Sequence, residues 1–277
     1  MGRDLKDKVA IITGASSGIG LETALEFAKK GVKTVLAARR EDRLNEAAER
    51  VKTLGSEALV VKTDVSRWSQ VQRMVKQSAE RFGRIDILVN NAGYGLLATI
   101  EDTTYQEMKD IFDVNFMGTF YATNAVLPHM KKQGSGHIIN ISSVAGARGM
   151  PLLGAYSVTK FGQKALTEAL RVELAGTGID VSVVCPVFIE SEFFKSVINK
   201  TNRQMDAPKW LTQSSNKVAR SIVKCAENPK PEVLPYPMAR IFIALNAIWP
   251  GFIDFLLRKN YKSFTKDKET TQPGGEE

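Results

Sequence analysis

The chain sets an apolar, β-branched run directly before a glycine-rich turn and then an amphipathic helix: KVAIITG (8–14), TGASSGIG (13–20) and LETALEFAKK (21–30). No other stretch restricts the fold as much. A continuous apolar run of this length suits a strand covered on both faces. Glycines permit a tight turn and close backbone approach. A helix that starts there offers free N–H groups, and the positive end of its dipole, to a phosphate. A strand before and a helix after are the context that a dinucleotide fingerprint requires. The spacing here is G-x-x-x-G-x-G rather than G-x-G-x-x-G.

The alternation continues along the chain. Apolar runs at 33–39, 57–63, 85–90, 137–142 and 180–185 read as strands, and amphipathic stretches at 43–54 and 70–82 read as helices between them. Strand–helix alternation builds right-handed βαβ units. The fold class expected is therefore α/β, a Rossmann-like, doubly wound parallel sheet in a single domain. In such sheets ligands bind beyond the carboxyl ends of the strands, where the strand order reverses. We expect one domain over 1–260 with a substrate lid at about 187–215, and a flexible tail at 261–277.

Composition narrows the partners. The net charge is +8, but no dense basic stripe carries interleaved aromatics, so nucleic acid is not expected. Cys185 and Cys225 lack CxxC spacing and read as free thiols; His129 and His137 lack ligand spacing, so no metal site is expected. Before the first strand there is no apolar run long enough for a signal peptide or a span. A cytoplasmic protein is the expectation.

The second strand ends LAARRED. Ala38 stands where NAD-preferring sites place an acid, and Arg39 and Arg40 follow. A carboxylate repels a 2′-phosphate, whereas a guanidinium binds one through two charge-assisted hydrogen bonds. This favours NADP(H) over NAD(H), with Arg39 the better candidate. The alternative is that both arginines cap a helix or face water, paired with Glu41 and Asp42.

The pattern Tyr-x-x-x-Lys occurs twice, as Tyr105/Lys109 and Tyr156/Lys160. On a helix, positions four apart share a face, so spacing does not separate them. Surroundings do. Tyr105 lies in a polar run with Glu101, Asp102, Glu107, Asp110 and Asp113 and reads as a solvated first turn. Tyr156 follows a buried strand, the pair Ser142–Ser143 and a loop of small residues (Ala145, Gly146, Ala147, Gly149), so a hydroxyl, a phenol and an ammonium can converge at one cleft.

With TGASSGIG, NNAG (90–93), VN (114–115), SS (142–143) and YSVTK (156–160) in this order and spacing, the sequence resembles the classical short-chain dehydrogenase/reductase family over about residues 6–195. The resemblance implies roles. Tyr156 is the general acid for carbonyl reduction, or the base for alcohol oxidation. Ser143 binds the substrate oxygen, with Ser142 its alternative. Lys160 holds the nicotinamide ribose and favours the tyrosinate, and Asn115 anchors a water that links Lys160 to solvent. It places Gly14, Ser16, Ser17, Gly18, Ile19 and Gly20 at the cofactor phosphates, and Asp64 and Val65 at the adenine. Asn90, Asn91, Ala92 and Gly93 fall along the cofactor backbone, with a strand-stabilising role equally open for Asn90. Pro186, Ile189 and Ser191 fall at the nicotinamide. Two positions depart: Val187 replaces the usual glycine and Ser191 the usual threonine. A β-branched residue there restricts the backbone.

The implied activity is interconversion of a carbonyl and an alcohol on an apolar small molecule, in a homodimer or homotetramer. The alternative is a nucleotide-binding regulatory or scaffold protein without turnover. Residues 233–257 are strongly apolar but broken by Pro235, Pro237 and Pro250, with Arg240 and Asp254 inside, and the basic cluster RKNYKSFTKDK (258–268) follows. Three readings stay open: a helix completing the core or a dimer contact, a peripheral membrane segment through about 233–268, or a hydrophobic mouth for a lipid-like substrate.

Overall fold

The computed structural model describes residues 2–190, 197–201 and 212–265. The expected strands appear as β1 (Val9–Thr13), β2 (Lys33–Ala38), β3 (Ala58–Lys62), β4 (Ile87–Asn90), β6 (Gly136–Ile141) and β7 (Ile179–Val184). A short strand, β11 (Glu232–Val233), completes a sheet in the order β11-β7-β6-β4-β1-β2-β3, and all its pairings are parallel. The helices between them are α1 (Gly18–Ala28), α2 (Glu41–Thr53), α3 (Trp68–Phe82), α4 (Tyr105–Phe112), α5 (Gly118–Gln133) and α6 (Gly154–Glu173). The chain then adds α7 (Ser215–Glu227), α8 (Ala239–Ile248) and α9 (Pro250–Thr265). Two minor sheets pair β5 (Leu96–Leu97) with β9 (Ile198–Asn199), and β8 (Phe188–Glu190) with β10 (Thr212–Ser214).

The strands are apolar throughout because both faces are covered. In β1, Ala10 and Ile12 pack with Phe27 of α1, Leu44 of α2 and Ile222 of α7. Val9 and Ile11 point the other way, to Met74 of α3, Val126 of α5 and Leu170 of α6. Successive side chains of a strand alternate faces, so one run feeds two cores. The chain winds from β1 to β3 in one direction and from β4 to β11 in the other. The order reverses between β1 and β4, and a crevice opens beyond their carboxyl ends.

The carboxyl-terminal helices behave differently from the rest. Trp249 and Pro250 break the apolar run, and α8 and α9 meet at a bend of 116°. Among the described residues the pair contributes only Ala239 and Ile253 to the buried apolar set. It therefore does not complete the subunit core. Split at a proline, the run forms two short helices lying on the surface. Among the described residues no single helix is long and apolar enough to cross a membrane, although the bent pair together has that length and composition.

Candidate active site

The first cradle forms where β1 meets α1. Gly14 has φ 69°, and a side chain there would meet Asn91 Nδ2 and the Ala92 backbone. At Gly20 an added Cβ would lie 2.3 Å from the Gly14 carbonyl oxygen. Asn91 ties the ends of β4 and β1 together: its Nδ2 donates to the Thr13 carbonyl (2.9 Å) and its N–H to Thr13 Oγ1 (3.0 Å). The N-cap of α1, Ser17, makes no side-chain cap bond, which leaves the first amides of α1 to be satisfied from the crevice. Arg40 donates to Ser16 Oγ (3.1 Å) and Ser17 Oγ (2.8 Å), so it is Arg40 that joins the second strand to the glycine turn. Arg39 is exposed at the end of β2. An uncapped helix start with a guanidinium beside it fits a dinucleotide phosphate.

Asp64 and Val65 follow β3. Asp64 accepts from the Ser66 N–H and hydroxyl, and Val65 is buried against Gly118. Gly93 is held close to Asn115, whose Oδ1 would lie 2.9 Å from a Cβ added there. Asn90 is buried, donating to Asn140 Oδ1 (2.9 Å) and Thr123 Oγ1 (3.1 Å). It stitches β4 to β6 and α5.

The second half of the site lies beyond β6. Ser142 is buried and donates to the Lys160 carbonyl (2.8 Å), so it faces α6. Ser143 stands on the other side. Its hydroxyl lies 3.4 Å from the Pro186 carbonyl, accepts from the Ala145 N–H and hydrogen-bonds Tyr156. The strand alternation therefore separates the two serines. Val187 is buried and its φ lies outside the left-handed region, so the backbone there does not require glycine. Ile189 is buried in β8; Ser191 lies outside the described residues. Leu152 has φ 65° in the loop leading to α6, and its carbonyl accepts from the Ala98 N–H (2.9 Å).

Tyr156 packs with Tyr94 and Met108 on the apolar cluster of Leu96, Ala98, Ile111 and Ala155. Lys160 is 4% exposed. Its ammonium lies 5.5 Å from the centre of the Tyr156 ring and donates to the Ile141 carbonyl (2.8 Å) and Gln163 Oε1 (2.9 Å). Burial pushes the Tyr156 phenol above its ordinary value, and the Ser143 hydrogen bond pulls the other way. Burial lowers Lys160 to about 7. The expectation that the ammonium depresses the phenol is thus not met by this chain alone: desolvation penalises both charged forms and dominates. Buried Cys185 is raised to about 12, again mainly by burial.

Asn115 sits in a π turn, Asp113–Met117, between α4 and α5. Such turns are frequent at functional sites. Its side chain exchanges hydrogen bonds with the Tyr94 backbone (2.9 Å each) and donates to Thr159 Oγ1 (3.2 Å). Its carbonyl accepts from Gln163 Nε2 (2.8 Å) and Thr119 Oγ1 (3.0 Å). The sequence reading missed Gln163, Thr119 and Thr159. The available signal was a polar residue one turn from Lys160 on the same face.

By contrast, Tyr105 is 82% exposed at the start of α4. Lys109 bonds Asp113 at 2.5 Å. Arg148, in the loop after Ser143, donates to Asn246 of α8 (3.0 Å) and pairs with Asp254 of α9. A cavity of about 630 Å³ beside this clamp is lined by Ile100, Met150, Phe161, Leu257 and Tyr261, among others; its walls include neither Ser143 nor Tyr156.

Comparison with known proteins agrees with this fold. The ketoacyl reductase HetN of Nostoc sp. is 33% identical over 261 residues, covering 92% of this chain and 89% of that one. A short-chain dehydrogenase/reductase of Burkholderia phymatum, solved with NAD, superposes with a TM-score of 0.81 at 29% identity, covering 88% of this chain and 94% of that one. An alcohol dehydrogenase of Thermococcus sibiricus, solved with 5-hydroxy-NADP, gives a TM-score of 0.73 at 29% identity, covering 82% and 95%. The short chain dehydrogenase family model matches residues 8–202, and the chain belongs to that family of nicotinamide-dependent oxidoreductases.

Proposed function

We propose that this protein is an NADP(H)-dependent oxidoreductase that interconverts a ketone or aldehyde and an alcohol. One observation carries the reading: Tyr156, packed on the apolar cluster of Leu96, Ala98, Ile111 and Ala155, bonds Ser143 at the carboxyl end of β6 and has the Lys160 ammonium 5.5 Å from its ring centre. A nicotinamide cofactor, when bound, supplies or accepts the hydride. The chain's own residues handle the proton. Ser143 orients the substrate oxygen, and Tyr156 gives it a proton in reduction or takes one in oxidation. Lys160 fixes the local charge and the cofactor ribose. Gly14, Ser16, Ser17, Gly18, Ile19 and Gly20 hold the phosphates; Asp64, Val65, Asn91, Ala92 and Gly93 line the adenosine side; Pro186 and Ile189 line the nicotinamide side.

Arg40, anchored on Ser16 and Ser17, is the first candidate for the 2′-phosphate, with Arg39 beside it. The apolar cluster around Tyr156 favours an apolar substrate. The test is calorimetric titration with NADPH and NADH, then turnover on a panel of ketones and aldehydes. NADPH should bind more tightly, and Arg40→Ala should reduce that preference about tenfold, as for loss of a charge-assisted bond. Equal affinities in the unaltered protein would refute the phosphate preference. Binding without turnover of any carbonyl would favour a regulatory role.

A peripheral contact with anionic lipid is part of the proposal. Ile248 and Trp249, at the bend of α8 and α9, are 82% and 64% exposed, and Ile241, Phe255 and Leu256 extend the apolar face. Residues 238–265 carry Arg240, Arg258, Lys259 and Lys262 against one acid, Asp254, which is paired with Arg148. Apolar exposure with surplus basic charge suits an anionic interface and repels a second copy of the same face. The protein should float with vesicles of phosphatidylcholine and phosphatidylglycerol but not with phosphatidylcholine alone, and Trp249→Ser should weaken flotation. Equal flotation with both, or none, would reject the lipid reading. A homodimer or homotetramer is proposed on the exposed Phe120 of α5 and Phe161 of α6, with sedimentation velocity as its check.

A further inference from the structure

We infer that Gln163 is a positioning residue for Lys160, locking the ammonium to the π turn through its own amide. The inference deepens the proposed function, on which the role of Lys160 rests.

Gln163 is fully buried, and every polar atom of its side chain is used. Oε1 accepts from Lys160 Nζ at 2.9 Å. Nε2 donates to the Asn115 carbonyl at 2.8 Å and to Thr119 Oγ1 at 2.7 Å. Only one orientation of the amide satisfies these partners: an NH₂ cannot accept from an ammonium, and a carbonyl cannot donate to a carbonyl. The helix holds the residue from behind, since Thr167 Oγ1 donates to the Gln163 carbonyl (2.6 Å) and accepts from Asn140 Nδ2 (2.9 Å). With the Ile141 carbonyl, Gln163 fixes two of the three ammonium N–H groups and so sets the direction of the third.

The arrangement changes what connects Lys160 to Asn115. A carbonyl oxygen has two lone pairs, and at Asn115 Gln163 and Thr119 engage both. A glutamine amide therefore joins the Lys160 ammonium to the Asn115 carbonyl. An amide transmits a hydrogen bond but does not pass a proton on as water does. Its carbonyl dipole favours the charged form of Lys160 against the desolvation that opposes it. The titratable groups facing Lys160 are Tyr156 from the same helix and Cys185 from the end of β7, with Lys164 and Glu232 beyond Cys185.

The test reads Lys160 directly and needs no substrate. In the full chain labelled with ¹³C,¹⁵N-lysine, the Lys160 signal is assigned by its loss in Lys160→Met, and its titration is followed by NMR. Gln163→Met, close in shape but without the amide, should lower the midpoint by about one pH unit. Gln163→Glu, which keeps an acceptor and adds charge, should raise it. A merely structural role would lower the melting temperature of both variants without moving the midpoints in opposite directions. If Gln163→Met does not fold, Gln163→Glu decides alone, and an unmoved midpoint overturns the inference. Tyr156→Phe, assayed on the carbonyl panel, tests the reaction separately. Persistent turnover there would sink the proposed chemistry, whereas an unmoved midpoint would sink only the role of Gln163.

Discussion

Tyr105 with Lys109 on α4 and Tyr156 with Lys160 on α6 share a spacing and a helical setting, and almost nothing else. The first phenol stands in water at the start of α4, and its lysine bonds Asp113 on the surface. The second phenol is packed against an apolar cluster, and its lysine is gripped by the Ile141 carbonyl and Gln163. The pairs differ because one helix begins among acids at the rim of the sheet and the other at the carboxyl end of β6, beside the crevice. The two pairs therefore differ in burial and in partners that sequence spacing does not encode.

The sharpest way to break the comparison is to remove each hydroxyl. Tyr156→Phe should cut carbonyl turnover by roughly 10²–10⁴-fold, and Tyr105→Phe should leave it unchanged. Comparable losses in the two variants would refute the assignment. The neighbouring serines form a second contrast. Ser143→Ala should cost on the order of 10²-fold in turnover, as for loss of a donor to the reacting oxygen. Ser142→Ala should instead cost about 1 kcal/mol of stability through its lost bond to the Lys160 carbonyl, measured by urea unfolding.

The lysines make a third, smaller contrast, read in the pH dependence of stability. Lys160 is lowered to about 7 in the folded chain, against 10.5 for the free group. Between these values the unfolded chain holds more protons, so stability should rise with pH. The clean window is pH 7–9, because the raised Cys185 thiol gives an opposite slope above about 9. Lys160→Met should remove the rise, and Lys109→Met should keep it. The smallest effect expected is at the helix start beside Tyr105, where Thr104 and Glu107 form a capping box. Thr104→Ala should lower stability by about 1 kcal/mol without touching turnover.

Much of this was legible in the sequence. Strands buried on both faces must be apolar throughout, so β1, β2, β4 and β6 could be read as runs. The glycine turn announced itself by its place between strand and helix. Strand geometry puts Ser142 and Ser143 on opposite faces, but it was the spacing of the family motifs that favoured Ser143. What escaped depends on contacts between distant segments. β11 is two residues long and is defined only by its pairing with β7. Arg40 rather than Arg39 reaches the glycine turn because of how the chain leaves β2. Gln163 looks like any glutamine on a helix until α6 is laid against the π turn. The apolar run at 233–257 left a core or dimer-contact helix, a membrane segment and a substrate mouth all open; its prolines were legible, but that only Ala239 and Ile253 of the helix pair are buried among the described residues was not.

The clamp at Arg148 has a consequence for how such an enzyme changes over time. One side chain, in the loop just after Ser143, holds both α8 and α9. Among the described residues neither helix contributes a side chain to the two cores that cover the sheet, so the carboxyl-terminal stretch can vary without endangering the fold. Yet each variation pulls on the loop that follows Ser143. The helices are a tuning peg: a change made in α8 or α9 is felt about a hundred residues earlier in the chain.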